Sequence, residues 1–330
     1  MEWIPHVGGQ ALRMEGCMTV GDAIGIAEAD RLTPEQIAEL YERGAVLIPD
    51  FLRAEEIAEA RQDILAMFES VATQAGRNSV PLGPDVREFA RDSWFDYCDF
   101  PYDSRALSLV GCHPSILAVA RRVLQSEEVM MHYNYATAKF TGYKNYSQPL
   151  HLDSPMHSFF APSNVPKYSV INCVIYLSDV DACCGALSYV PLPETRLVPY
   201  GKITLDEKEN LRLSEREVST EGRAGSLLVY FHHTYHRGTN LLGAGCSRYQ
   251  VVVSYHAKEA SAFVGGTMWP SRALTVDWQH FLPYASIEQL CTIGIPKPGH
   301  DFWTHAILDD LKRRFPGWDL SEYRRGVISE

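Results

Sequence analysis

His151 and Asp153 form the one His-x-Asp pair in the chain. On an extended segment residues i and i+2 project to the same side, so this imidazole and carboxylate can reach a single metal ion. A third ligand has to come from elsewhere in the sequence. The apolar run 225–231 leads into His232-His233-Thr234-Tyr235-His236-Arg237-Gly238-Thr239-Asn240. Strand alternation puts His232 and His236 on one face, and His233 is a further competitor. The Gly-x-Asn turn after His236 favours that residue, because it ends the strand at the mouth of a cavity. Two histidines and a carboxylate on one face of an octahedron leave three positions open, the arrangement of non-haem iron(II) oxygenases.

The next strand opens with Ser247-Arg248-Tyr249-Gln250-Val251-Val252-Val253. An arginine there can face the same cavity, and its planar fork suits one carboxylate of a dicarboxylate co-substrate; a structural ion pair is the other reading. Three further readings compete with an oxygenase that uses such a co-substrate. A metal-dependent cupin-like enzyme would not need the arginine. A zinc hydrolase could use the same ligands, but no His-Glu-x-x-His supplies a base beside the metal-bound water. A non-catalytic binding protein on the same fold would be expected to have lost a ligand.

These residues need a scaffold, and the periodicity supplies one. Thr33, Pro34 and Gln36 make a capping box for a helix over 34–43, stopped by Gly44. A short strand follows at 45–48, then a helix over 54–72 with Ile57, Ile64, Leu65 and Phe68 as its stripe. The stretch 107–124 reads as a helix interrupted at His113-Pro114. From 129 the period changes to strands at 129–140, 168–177, 186–190, 225–231 and 248–256, separated by turn residues. A last helix over 301–315 has an inner face drawn from Phe302, Ala306, Ile307 or Leu308, Leu311 and Phe315. The expected architecture is mainly β and forms one domain. Its helical N-terminal part spans about 30–125, its β core about 129–258 and its helical tail 259–330.

Composition narrows the partners. Thirty Lys and Arg face 41 Asp and Glu, a formal net charge of −11, and there is no basic stripe. Nucleic acid and anionic membrane surfaces are therefore poor partners, and a small molecule is expected. The N-terminal MEWIPHVGGQ has no basic or apolar region of a signal peptide, and no apolar run approaches the roughly 20 residues of a membrane span. Eight cysteines make no Cys-x-x-Cys pair, which suits reduced thiols in a cytoplasmic protein, monomer or homodimer.

Taken together, these motifs resemble the phytanoyl-CoA dioxygenase family of 2-oxoglutarate-dependent oxygenases. The likeness runs from Thr33 through the Gly44–Phe51 pattern, His151-Leu152-Asp153, Tyr176-Leu177-Ser178-Asp179, Gly185 to Pro191 and Gly225 to Asn240. It extends to Arg248, 12 residues after His236, and to the tail segment 295–303. The resemblance implies a double-stranded β-helix (jelly-roll) core with flanking helices. It implies iron(II) on His151, Asp153 and His236, 2-oxoglutarate as co-substrate with Arg248 on its distal carboxylate, and dioxygen. Asn134 and Lys139 on the 129–140 strand are the residues expected to assist 2-oxoglutarate. A carboxylate at Asp153 argues against halogenation, for which the family has a small residue there. After Val190-Pro191 the usual Gly-Ser-His is replaced by Leu192-Pro193-Glu194. The substrate pocket is expected near Tyr133, Tyr135, His157, Phe159, Phe160 and Tyr235, with Trp269 and the tail as a lid or an interface. No basic cluster for acyl-CoA phosphates is present, so a free small molecule, natural-product-like or amino-acid-like, is the expected substrate.

Overall fold

The structure, a computed structural model, describes residues 30–69, 97–141, 147–154, 163, 165–198, 205–261, 264 and 276–327. His157, Phe159, Phe160 and Trp269 lie outside the described residues. Two antiparallel sheets make the core. The larger has the order β1-β7-β4-β9-β3-β2 and contains β1 (Ala45–Ile48), β2 (Tyr97–Asp99), β3 (Val129–Phe140), β4 (Val170–Tyr176), β7 (Leu227–Phe231) and β9 (Ser247–Ala257). The smaller has the order β6-β5-β8, from β5 (Leu187–Tyr189), β6 (Val218–Ser219) and β8 (His236–Gly238). Helices take a larger share of the chain than strands, yet the cupin-like β core is the expected one.

The period of two sorts β4, β7 and β9 of the large sheet. Ile171, Cys173 and Ile175 of β4, Leu227, Val229 and Phe231 of β7, and Val251, Val253 and Tyr255 of β9 pack into one apolar cluster with the helices. Their neighbours Val174, Tyr176, Leu228, Tyr230 and Val252 face the small sheet's Leu187 and Tyr189. Each fully buried aliphatic side chain here contributes about 1.5–3 kcal/mol of burial free energy. The helices cover one face of the sheet, and polar residues on the other face line a cavity.

Six of the helices among the described residues are α1 (Pro34–Arg43), α2 (Ala54–Met67), α3 (Arg105–Val110), α4 (Pro114–Leu124), α5 (Ile287–Thr292) and α6 (His305–Arg314). In the α1 capping box the Gln36 N–H donates to Thr33 Oγ1 at 3.2 Å, and the Thr33 N–H donates to Gln36 Oε1 at 2.9 Å. Gly44 ends α1 at φ 84°, and β1 follows at once. Gly225 sits at φ 94° before β7, and a Cβ there would fall 2.2 Å from the Leu52 carbonyl. Only glycine lets that turn press on the connection after β1.

Some expectations for the helix faces are corrected. On α2, Leu65 is 48% exposed, and Ile57, Ala60 and Ile64 form the buried stripe. Near α6, Phe302 is half exposed and Ala306 faces solvent, whereas Trp303 and Leu308 are buried. The stretch Arg105–Leu124 is long and apolar enough for a membrane span by composition. It is α3 and α4 broken at His113-Pro114, mostly buried against the sheet, and so reads as the core helix pair of a globular fold.

Candidate metal centre and anion pocket

The segment 148–153 runs beside β8 and is held there by its backbone. The Gln148 N–H donates to the Gly238 carbonyl at 2.9 Å, and His151 and His236 exchange two N–H···O bonds of 3.1 Å. The Asp153 N–H donates to the His232 carbonyl at 3.1 Å. Two histidines that oppose each other across an antiparallel bridge present their rings side by side, with centroids 4.4 Å apart. Asp153, two residues on, points the same way.

His151 Nδ1 donates to the Pro149 carbonyl at 2.8 Å, and His236 Nδ1 to the Thr234 carbonyl at 3.0 Å. A carbonyl only accepts, so both rings carry their proton on Nδ1 and leave the Nε2 lone pair for a metal. Nε2 of His151 is 3.7 Å from Asp153 Oδ1, and Nε2 of His236 is 3.6 Å from Oδ2. One ligand atom from each of the three residues lies within 4.8 Å of the others. Cis donors at about 2.1 Å from a metal sit about 3 Å apart, so a small contraction would close the set. Burial pushes the His236 imidazole down to about 4, with the nearby Asp153 opposing that shift and His151 adding to it. It is therefore neutral at pH 7, as a ligand must be. The residues fit iron(II).

His232 and His233 are not part of this cluster. The expected single strand through 232–236 is not what forms: β7 ends at Phe231, a turn takes 232–235, and His236 starts β8 in the other sheet. His233 is half-buried and stacks on Phe231, and His232 turns into a buried polar network.

One cavity of about 80 Å³ lies beside the three ligands, room for several waters at roughly 10–15 Å³ each. Tyr135, Thr137, Lys139, Gln148, Tyr230, Arg248 and Gln250 line it with the ligands themselves. Lys139 and Arg248 are direct partners across β3 and β9 and project to the same face. Arg248 donates to the Gly185 carbonyl, and Lys139 Nζ donates to the Thr239 carbonyl at 2.8 Å. Asp153 is the one carboxylate among the described lining residues, so the far end of the cavity carries an excess of positive charge. Anions are what such a pocket binds.

Asn134 is a correction. It lies on the opposite face of β3, 2% exposed, where Tyr102 donates to its Oδ1 at 2.7 Å. Five residues separate it from Lys139, so the two cannot share a face of one strand. Tyr235 is likewise away from the cavity, packed with Leu150, Leu152, Val190 and Leu213. Tyr133 is buried beside the metal ligands, and Tyr135 lines the cavity. Sequence reasoning missed Gln148, Thr137, Tyr230, Gln250 and Asn172. The Tyr230 hydroxyl is 3.2 Å from His236 Nε2. Strand parity from Arg248 and Lys139 would have found Gln250 and Thr137.

The sequence profile of the phytanoyl-CoA dioxygenase family matches residues 40–248, more than half of the chain. No curated protein matches the chain by sequence. Among solved structures the chain is similar in fold to EctD from S. alaskensis in its apo form. That likeness has a TM-score of 0.53 at 17% identity and covers 69% of this chain and 78% of EctD. It is also similar to the epimerase SnoN in complex with Fe3+, alpha ketoglutarate and nogalamycin RO. There the TM-score is 0.50 at 20% identity, covering 68% of this chain and 82% of SnoN. Family and donor set agree on a non-haem iron centre served by 2-oxoglutarate and dioxygen. With the His151–His236 bridge, Asp153 and Arg248 all inside the matched region, the chain belongs to the phytanoyl-CoA dioxygenase family of 2-oxoglutarate-dependent oxygenases.

Proposed function

We propose that the protein hydroxylates an unactivated C–H bond of a small, natural-product-like or amino-acid-like molecule in the cytoplasm. The observation that carries this reading is the junction of two sites in one cavity. Three metal ligands converge at one end, and two cations stand side by side at the other. A cupin-like enzyme without 2-oxoglutarate has no use for the second.

His151, Asp153 and His236 would hold iron(II), and Arg248, with Lys139 beside it, would hold the distal carboxylate of 2-oxoglutarate. When bound, iron(II) with 2-oxoglutarate and dioxygen supplies an oxidant for such a bond, with release of succinate and carbon dioxide. The chain's own residues set the geometry. The Nδ1 bonds fix both imidazole rings, and the planar guanidinium of Arg248 would offer two parallel bonds to one carboxylate. Val174, Leu187 and Val252 line the cavity and limit the water around the reacting atoms. His151 is the least buried ligand, its side chain 19% exposed against 10% for Asp153 and 5% for His236. Substrate approach from that side is part of the proposal.

The test is anaerobic titration of iron(II)-loaded protein with 2-oxoglutarate, followed by visible absorption. A saturable charge-transfer band that is absent in Asp153→Ala is expected. Iron binding without any band would sink the 2-oxoglutarate reading.

A further inference from the structure

Asn172 lies on the cavity-facing side of β4 and is wholly buried, 0% exposed. Its Nδ2 donates to Asp153 Oδ2 at 2.7 Å. Its Oδ1 accepts from the Tyr133 hydroxyl at 2.7 Å and lies 2.9 Å from His232 Nε2. A carboxylate can only accept, so the amide nitrogen must face Asp153. The two groups at the other end hold it in that orientation. The His232 ring stacks on Tyr133 at an interplanar angle of 20° and bonds the Ser254 hydroxyl at 2.9 Å. The His232 carbonyl also accepts the N–H of Asp153 and of Ser154. One residue thus fixes the aspartate's backbone directly and its carboxylate through Asn172.

We propose that Asn172 is a positioning residue for the metal-binding carboxylate, clamped by Tyr133 and His232. This rests on the reading that His151, Asp153 and His236 bind a metal. Rotation of a carboxylate about its last torsion is nearly free in the absence of a partner. With Oδ2 held by Asn172, Asp153 is fixed where it lies within 3.7 Å of both Nε2 atoms. Losing a bond of this kind costs about ten- to hundredfold in metal affinity.

The experiment uses the full chain and Mn(II) alone, with the dissociation constant read by electron paramagnetic resonance titration and the fold by thermal melting. Asn172→Ala is expected to bind about ten- to hundredfold more weakly. Asn134→Ala, an equally buried asparagine on the helix-facing side of the same sheet, is expected to melt earlier but to bind Mn(II) as the wild type does. The visible spectrum of bound Co(II) should shift in Asn172→Ala and stay unchanged in Asn134→Ala. Wild-type protein that does not bind Mn(II) would overturn the metal site itself. Wild-type binding with no loss in Asn172→Ala, or an equal loss in Asn134→Ala, would overturn the positioning role alone. If Asn172→Ala does not fold, Tyr133→Phe removes one clamp by a single oxygen. A weaker Mn(II) site with a shifted Co(II) spectrum then supports the role, and an unchanged one overturns it.

Discussion

At the proposed metal end of the cavity, the three candidate ligands hang on short pieces of backbone: a bridge between His151 and His236 and the turn at 232–235. At the anion end, Lys139 and Arg248 stand opposite each other on the two longest strands of the large sheet, β3 and β9. The metal end gains its precision from side-chain bonds added one by one, at Nδ1 of each histidine and through Asn172 to the aspartate. The anion end takes its precision from the sheet, whose register fixes both cations at once. The first arrangement fails when one ligand is lost. The second should degrade in steps.

The sharpest break in that comparison is His236→Ala. It should remove measurable Mn(II) binding, a loss of about a hundredfold or more, while His232→Ala binds metal with a smaller loss. A dead His232→Ala beside a metal-binding His236→Ala would exchange their roles. Next in size, Arg248→Ala should weaken 2-oxoglutarate by about 2–4 kcal/mol, roughly 30- to 1000-fold, in anaerobic titration. Its Mn(II) affinity should stay within about twofold of wild type, and parallel loss of both ligands would make the arginine structural. Lys139→Ala should cost less, on the order of tenfold or under, since a point charge lacks the bidentate fork.

Gly238→Ala probes the seam between the two ends. An added Cβ would lie 2.8 Å from Gln148 Oε1 and 3.4 Å from Arg248 Nη2. It should displace Gln148, whose Oε1 accepts the Gly238 N–H at 2.7 Å, and raise the 2-oxoglutarate requirement by about threefold to tenfold. Full affinity in that variant would mean that Gln148 does not help to shape the pocket. Smallest of all, Tyr235→Phe should leave both affinities within about twofold and cost about 1 kcal/mol of stability or less, as befits a residue packed among leucines and valine away from the cavity. A large change in substrate turnover there would reopen its place in the pocket.

Most of the scaffold was legible because its signals are local. Thr33, Pro34, Gln36 and Gly44 set α1 from within a dozen residues, and the strand segments 129–140 and 225–231 carry their period in their own composition. His151 and Asp153 were legible for the same reason, since i and i+2 share a side of any extended segment. The placing of Asn134 beside the co-substrate went wrong although parity with Lys139 already forbade both residues in one cavity. Leu65 and Phe302 misled because apolar type alone does not say which side of a helix meets the core.

What the tertiary structure alone decided is how distant partners meet. The turn after His236 already favoured it over His232, but it faces His151 because β7 stops and the chain crosses to the other sheet, which alternation along one strand cannot foresee. Asn172 gave no signal at all, for its partners Asp153, Tyr133 and His232 lie 19, 39 and 60 residues away. The sequence by itself determined the elements, the ligand types and the charge of the pocket, because these follow from short-range sterics and from side-chain chemistry. Which polar atoms meet inside depended on sheet register and strand crossing, which only the packing of the whole chain settles.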